Sequence, residues 1–207
     1  DVHTFWLTGG EPTLHPNYVK LLGILREIYP DAYVGIYSNG ITLKARENDA
    51  AFWEFMRDKG IVWGITNYDV SKEYYEELFA GHGCLNNLAP VQSGRTFMRL
   101  TCYAKNRPVT PEKYASCGWE RSKINIRGGK IYNCPSSEFA DLFAEYYGET
   151  LPLTERDHLP VDEKLTREKL EVFRGPMPFC AYCDISGRRE IFPNAPSERN
   201  RREWSLT

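Results

Sequence analysis

Apolar residues in the first half of the chain form short continuous runs, separated by segments with helical spacing. The continuous runs cover residues 4–7, 33–37 and 61–65. Such runs are typical of parallel strands buried on both faces, and a spacing of about 3.6 residues is typical of amphipathic helices. The pattern predicts alternating strands and helices, with a fourth strand over residues 96–100.

The predicted helices begin and end at recognisable signals. The first covers residues 18–29, the second follows a capping Asp49 and stops at Gly60, and the third follows a capping Ser71. Successive strands start roughly 30 residues apart, the length of one βαβ unit. Three or four units are too few to close an eight-stranded barrel. The sequence therefore predicts an α/β fold, a partial TIM-like (β/α) barrel whose first strand is an open edge that a preceding strand would cover.

The pattern changes near residue 105. Two apolar segments, 124–127 and 130–133, flank Gly128 and Gly129, which predicts a tight hairpin because both turn positions require positive φ. Helices are predicted over residues 137–147 and 166–173. We therefore divide the chain into residues 1–105, the parallel α/β part, and residues 106–207, a small cysteine-rich α+β domain.

Composition limits the possible partners. The formal net charge is −2, so no basic surface for nucleic acid or an anionic membrane is expected. The first residues lack the features of a signal peptide, and no apolar stretch approaches the length of a membrane span. We expect a cytoplasmic protein.

A glycine-rich loop follows the first predicted strand. Residues 8–12 read TGGEP and lie at the carboxyl end of that strand, where parallel α/β sheets bind ligands. Paired glycines let a ligand approach the main chain, and a proline turns the chain sharply. An ordinary strand-to-helix turn would have the same composition, so the loop alone does not decide between the two interpretations.

Four cysteines in the second half form another constellation. Cys180 and Cys183 make a CxxC pair, and Cys117 and Cys134 stand on either side of the hairpin. Four thiolates are the ligand set of structural zinc and of iron–sulfur clusters, and the spacing of the cysteines does not distinguish between the two. A disulfide-linked secreted domain is a further alternative. The other two cysteines, Cys84 and Cys102, are interpreted as buried thiols.

Two loops carry a resemblance to a known family. Residues 7–16, LTGGEPTLHP, closely resemble the GGEP segment of the radical S-adenosylmethionine (SAM) superfamily, and residues 38–40, SNG, resemble its TNG turn one βα unit later. The resemblance implies that these loops hold the methionine part and ribose of SAM. The cofactor-binding residues it implies are Gly9, Gly10, Glu11, Pro12, Ser38 and Asn39.

The cysteine-rich part also resembles this superfamily. Residues 117–184 are similar to the auxiliary-cluster region of SPASM/Twitch radical SAM proteins. The resemblance implies one auxiliary 4Fe-4S cluster, in the shorter Twitch-like arrangement. Zinc remains the alternative cofactor. The metal ligands it implies are Cys117, Cys134, Cys180 and Cys183.

The sequence departs from the family at one point, because the CxxxCxxC motif of the catalytic cluster is absent. A complete enzyme of this type, an oxidoreductase, cleaves SAM reductively to a 5′-deoxyadenosyl radical that abstracts hydrogen from a substrate. The resemblance implies a small-molecule or peptide substrate and an electron donor such as flavodoxin or ferredoxin. We expect this chain to be a fragment, inactive alone, and assign no catalytic residue. The alternatives are a catalytically dead homologue and an interaction module that binds zinc through the four cysteines.

Overall fold

A computed structural model describes residues 2–68, 71–93, 96–98, 108–117, 123–151, 153–183, 191–193, 198 and 200. The chain divides into two compact units, Asp1–Thr96 and Phe97–Thr207. The sequence analysis placed this boundary slightly later, after residue 105, within a segment that lies outside the described residues.

The first unit is a parallel sheet with the strand order β1-β2-β3-β4. Its strands are β1 (Thr4–Leu7), β2 (Tyr33–Ser38), β3 (Val62–Asn67) and β4 (Gln92–Ser93). Its helices are α1 (Tyr18–Ile28), α2 (Ala50–Asp58) and α3 (Lys72–Gly81), with 3₁₀ turns at Pro12–Leu14, Ile41–Arg46 and Leu85–Asn87. The α/β class is confirmed. The described strands of this unit form an open sheet and not a closed barrel.

The fourth strand of the sheet differs from its predicted position. Ala89 donates a backbone hydrogen bond to Trp63 O at 2.8 Å, so the chain already runs beside β3 before residue 92. β4 then pairs with the end of β3, and the predicted segment begins after it. That segment contributes β5 (Thr96–Met98), which pairs with β9 (Ile191–Pro193) in a separate two-stranded sheet.

The helices of the first unit pack on one face of its sheet. The Trp63 ring on β3 lies 6.0 Å from the ring of Phe52 on α2 and 6.2 Å from that of Phe79 on α3. All three side chains belong to a single buried core. The predicted caps are confirmed, because the side chains of Asp49 and Ser71 accept hydrogen bonds from the first turns of α2 and α3. Helix positions thus follow from local sequence signals and one apolar face.

The second unit is built around an antiparallel sheet. β6 (Asn125–Arg127) and β7 (Lys130–Tyr132) form the predicted hairpin, with φ of 57° at Gly128 and 72° at Gly129. A third strand, β8 (Leu159–Pro160), pairs with β7 and was not predicted. The remaining elements are α4 (Pro111–Ala115), α5 (Pro135–Glu138), α6 (Ala140–Tyr147), α7 (Arg167–Phe173) and a 3₁₀ turn at Pro178–Tyr182.

The helix predicted over residues 137–147 is two helices. Pro135 occupies the first turn of α5, so helical structure begins two residues earlier than predicted. Phe139 has φ −105° and ψ 8°, outside the helical range, and separates α5 from α6. In the part of the chain that the structure describes, no helix combines the length and apolarity needed to cross a bilayer.

Candidate functional site

The carboxylate of Glu11 joins the ends of β1 and β2. Its Oε1 accepts a hydrogen bond from Ser38 Oγ at 2.8 Å, and its Oε2 accepts one from the backbone N–H of Asn39 at 2.7 Å. Both contacts link residues far apart in the sequence. Hydrogen bonds to an ionised carboxylate are shorter and stronger than neutral ones. Glu11 therefore fastens the two predicted SAM-binding loops to each other.

A second set of hydrogen bonds holds Glu11 itself in place. Thr13 donates to Glu11 Oε1 from its backbone N–H at 3.1 Å and from its Oγ1 at 2.5 Å. Thr42 Oγ1 in turn donates to Thr13 Oγ1 at 2.5 Å. Pro12 is buried and begins the 3₁₀ turn for which Glu11 is the N-cap. Hydrogen bonds from both loops thus fix the orientation of the Glu11 side chain.

The turn after β2 depends on a glycine. Gly40 has φ +75°, and a Cβ built there would lie 2.5 Å from the hydroxyl of Tyr75. Ser38 Oγ accepts the backbone N–H of Gly40 at 3.0 Å, and Asn39 Oδ1 accepts that of Ile41 at 3.0 Å. The SNG sequence is therefore explained by the backbone geometry of the turn.

The main chain at Gly9 and Gly10 borders open space. Both residues are exposed, and a Cβ added at either would meet no atom within 4 Å. Packing against the described residues therefore does not require the absence of side chains here. The open space would let a ligand reach the backbone of this loop.

Two tyrosines that the sequence analysis did not assign to the site lie in the field of Glu11. Burial raises the pKa of Tyr68 and of Tyr75, and the negative charge of Glu11 adds to both shifts. Tyr75 OH also donates to the carbonyl of Asn39 at 3.4 Å. Both phenols consequently remain neutral hydrogen-bonding groups, and no sequence motif marks them.

Aromatic rings lie flat on the sheet face opposite the helices. The rings of Trp6 and Tyr37 stack at 4.1 Å. A Cβ on Gly35 would lie 2.5 Å from the Trp6 ring, and one on Gly64 would overlap the Tyr37 ring. The absence of a side chain at the two strand glycines therefore leaves space for these two rings on the sheet.

In the second unit, the four cysteines assigned as metal ligands line one cavity. They are Cys117, Cys134, Cys180 and Cys183, and the cavity is completed by Val109, Lys113, Tyr114, Met177 and Phe179. None of the five cysteines among the described residues is in a disulfide bond. Residues separated by up to 66 positions in sequence, Cys117 and Cys183, thus contribute to the same cavity.

Three local elements place the four cysteines. Cys117 follows α4, with its backbone N–H bonded to Tyr114 O at 3.2 Å. Cys134 leaves the hairpin as the N-cap of α5. The backbone N–H of Cys183 bonds to Cys180 O at 3.4 Å, so the CxxC pair lies on one tight turn.

A buried carboxylate positions the CxxC turn. Asp157 is fully buried, and its Oδ1 accepts the backbone N–H of Phe179, directly before Cys180, at 2.8 Å. Its Oδ2 accepts the backbone N–H and the hydroxyl of Thr154, each at 2.9 Å. A buried charge is tolerated when it is hydrogen-bonded in this way. Sequence analysis did not identify Asp157, because nothing in its local context distinguishes it from a surface acid.

Burial opposes ionisation of the Cys180 thiol. It raises the pKa of this thiol, a hydrogen bond with the backbone of Met177 lowers it, and the nearby Cys134 and Cys117 raise it further. A bound metal would reverse this, since coordination deprotonates a thiol. Among the described residues, no three His, Cys, Asp or Glu side chains are arranged to hold a metal ion. The four cysteines nevertheless line one cavity, and four thiolates are a suitable donor set for zinc or an iron–sulfur cluster.

Cys84 is a core residue. Its side chain is fully buried, and its Sγ lies 3.5 Å from the carbonyl oxygens of Trp53 and His82. Burial raises the pKa of its thiol. This confirms the interpretation of Cys84 as a buried thiol, whereas Cys102 lies outside the described residues.

Comparison with known proteins assigns no family to this chain. No model of a known protein family matches its sequence, and no curated protein is similar to it.

Proposed function

We propose that this chain is part of a radical SAM enzyme in which the second unit binds one auxiliary 4Fe-4S cluster. The observation that carries the proposal is the single cavity lined by Cys117, Cys134, Cys180 and Cys183. Four cysteine thiolates are the usual ligands of such a cluster. When bound, the cluster would supply one-electron chemistry.

The first unit supports the SAM-binding part of the proposal. Its strands follow chain order in one parallel sheet, as in a segment of a (β/α) barrel. Glu11 ties the two loops that resemble the SAM-binding loops of the family. In this proposal Glu11 fixes the loops, and the open main chain at Gly9 and Gly10 receives the amino group of SAM.

Anaerobic reconstitution with iron and sulfide tests the cluster. We expect about four iron ions per chain and absorbance near roughly 400 nm. Cys134→Ser and Cys183→Ser should lose most of this iron. Cys84→Ala is the control, because its thiol lies in the other core, and it should retain the iron.

Metal analysis also separates the alternatives. Retention of zinc with no uptake of iron would contradict the proposal and favour the zinc-binding module built on the four cysteines. Iron binding that persists unchanged in both cysteine variants would show that the cavity is not the site.

Equilibrium dialysis with labelled SAM tests the loops of the first unit separately. Parent chain should bind SAM, and Gly10→Val, which fills the open space beside the loop, should bind it less. Gly81→Val, at the exposed end of α3 where a Cβ also meets no atom, is the control. Absence of SAM binding by the parent chain would contradict this part of the proposal.

A further inference from the structure

Lys113 reaches the cavity of the four cysteines. It lies on α4, and its Nζ donates a hydrogen bond to the backbone carbonyl of Cys180 at 2.8 Å. The side chain is half-buried and lines the cavity. The ammonium group is therefore held beside one of the proposed ligands.

Lys113 forms no ion pair with any of the described residues. Among the described residues that line the cavity, Lys113 is the only basic one. Its recorded hydrogen bond is to a neutral carbonyl. A negatively charged group bound to the cysteines would lie close to this cation.

We infer that Lys113 raises the reduction potential of the cluster held by the four cysteines, an inference that rests on the function proposed above. A cluster ligated by four thiolates carries a net negative charge, which grows by one when it accepts an electron from a one-electron donor. A fixed cation beside the ligand residue Cys180 stabilises the reduced form of the cluster more than the oxidised form. Cluster potentials respond to local charge and hydrogen bonding in this way.

Three variants separate charge from shape. Lys113→Met removes the charge but keeps a side chain of similar length, and Lys113→Arg keeps the charge. Lys20→Met, on the exposed face of α1 in the other unit, makes the same change in net charge. Each reconstituted chain is titrated with dithionite, and the reduced cluster is followed by electron paramagnetic resonance.

The expected result is a lower midpoint potential in Lys113→Met only, with Lys113→Arg and Lys20→Met close to the parent. An unchanged potential in an iron-loaded Lys113→Met would overturn the role of Lys113 and leave the proposed cluster intact. Iron loss in Lys113→Met but not in Lys113→Arg would also support a role for the charge. Equal iron loss in both variants would overturn it. A parent chain that takes up no iron would defeat the proposed function itself, and this inference with it.

Discussion

At the scale of single residues, Glu11 illustrates how one side chain connects distant parts of the sequence. Four hydrogen bonds converge on its carboxylate, from Thr13, Ser38 and Asn39. All four donors bond to carboxylate oxygens, and a glutamine side chain would offer only one such acceptor oxygen. The residue that the motif assigns to a cofactor is therefore also part of the frame that positions the site.

Glu11→Gln should destabilise the first unit. Its NH2 group would replace one carboxylate oxygen and face either Ser38 Oγ or the backbone N–H of Asn39, and an unsatisfied part-buried donor costs about 1–3 kcal/mol. Urea denaturation should show a loss of this size. Glu27→Gln, on the exposed side of α1, is the control and should be near neutral. Equal unfolding free energies for both variants would contradict the stabilising role of the hydrogen bonds by which Glu11 joins the two loops.

A tyrosine predicts how stability depends on alkaline pH. Burial and a hydrogen bond to Glu47 raise the pKa of Tyr74 to about 12. An unfolded tyrosine ionises near pH ~10, so above that pH the unfolded chain releases a proton that the folded chain keeps. The contribution of Tyr74 is complete below pH ~10 and is lost as the pH rises to about 12.

Chemical denaturation across this pH range checks the prediction. Tyr74→Phe should show a shallower loss of stability between pH ~10 and ~12 than the parent. Tyr146→Phe, which alters a tyrosine that is 59% exposed, should keep the slope of the parent. A parental slope in Tyr74→Phe would contradict the assignment.

At the scale of elements, the ends of the strands and helices are set by short-range geometry. The turn after β2 needs positive φ at Gly40, and the Tyr75 hydroxyl on α3 fills the space where a side chain would go. In the second unit, Asp157 fixes the start of the CxxC turn through Phe179. In both cases, a side chain from another segment contacts the turn and limits the conformations that its backbone can adopt.

Gly40→Ala should be markedly destabilising, and Gly81→Ala should not. Left-handed geometry costs a non-glycine residue about 1–2 kcal/mol, and the contact with Tyr75 adds to this. Gly81 ends α3 without positive φ, and an added Cβ there meets no atom. Thermal melts of the two variants give the comparison. Similar melting temperatures would show that the turn tolerates a side chain.

Asp157→Asn should weaken retention of iron in the reconstituted chain. Replacing a residue that orients ligands typically lowers metal affinity by about 10- to 100-fold. Asp162→Asn is the control, because its side chain caps a surface turn at Lys164. Iron release to a chelator should be faster in Asp157→Asn only. Identical rates of iron release from the parent and both variants would show that Asp157 does not help to hold the metal.

At the scale of the whole molecule, the chain holds its apolar residues in separate cores. The first unit has one core that joins its sheet and helices. The second unit has two small clusters, one around Phe179 and one around Ile131 and Phe173. Cys134 and Cys180 pack against the latter cluster. A metal at the cysteines would therefore stabilise the second unit much more than the first.

Metal removal should consequently affect the two units differently. Hydrogen exchange before and after chelation should show loss of protection in segments around Cys134 and Cys180. Protection of β2 and β3 should stay unchanged, because their core contains no proposed ligand. Loss of protection to the same extent in both units would contradict this expectation.

The sequence by itself determined the type and the approximate bounds of most elements. Continuous apolar runs specified the strands, Asp49 and Ser71 specified two helix starts, and Gly128 with Gly129 specified the hairpin. These signals are local, since they depend on side-chain period, capping and backbone φ within a few residues. The two motif-bearing loops were identified by their resemblance to a known family, and the four cysteines by the CxxC pair and the two cysteines that flank the hairpin.

Only the tertiary structure decided which residues support those motifs. The contacts of Glu11 with Ser38, of Asp157 with Phe179 and of Lys113 with Cys180 join segments that are distant in sequence. The same is true of β4, whose position depends on where the chain meets the edge of β3. Such contacts follow from how elements pack, and the residues that make them have no distinctive neighbours in the sequence. Local pattern therefore specified the elements and motifs, and packing specified their partners.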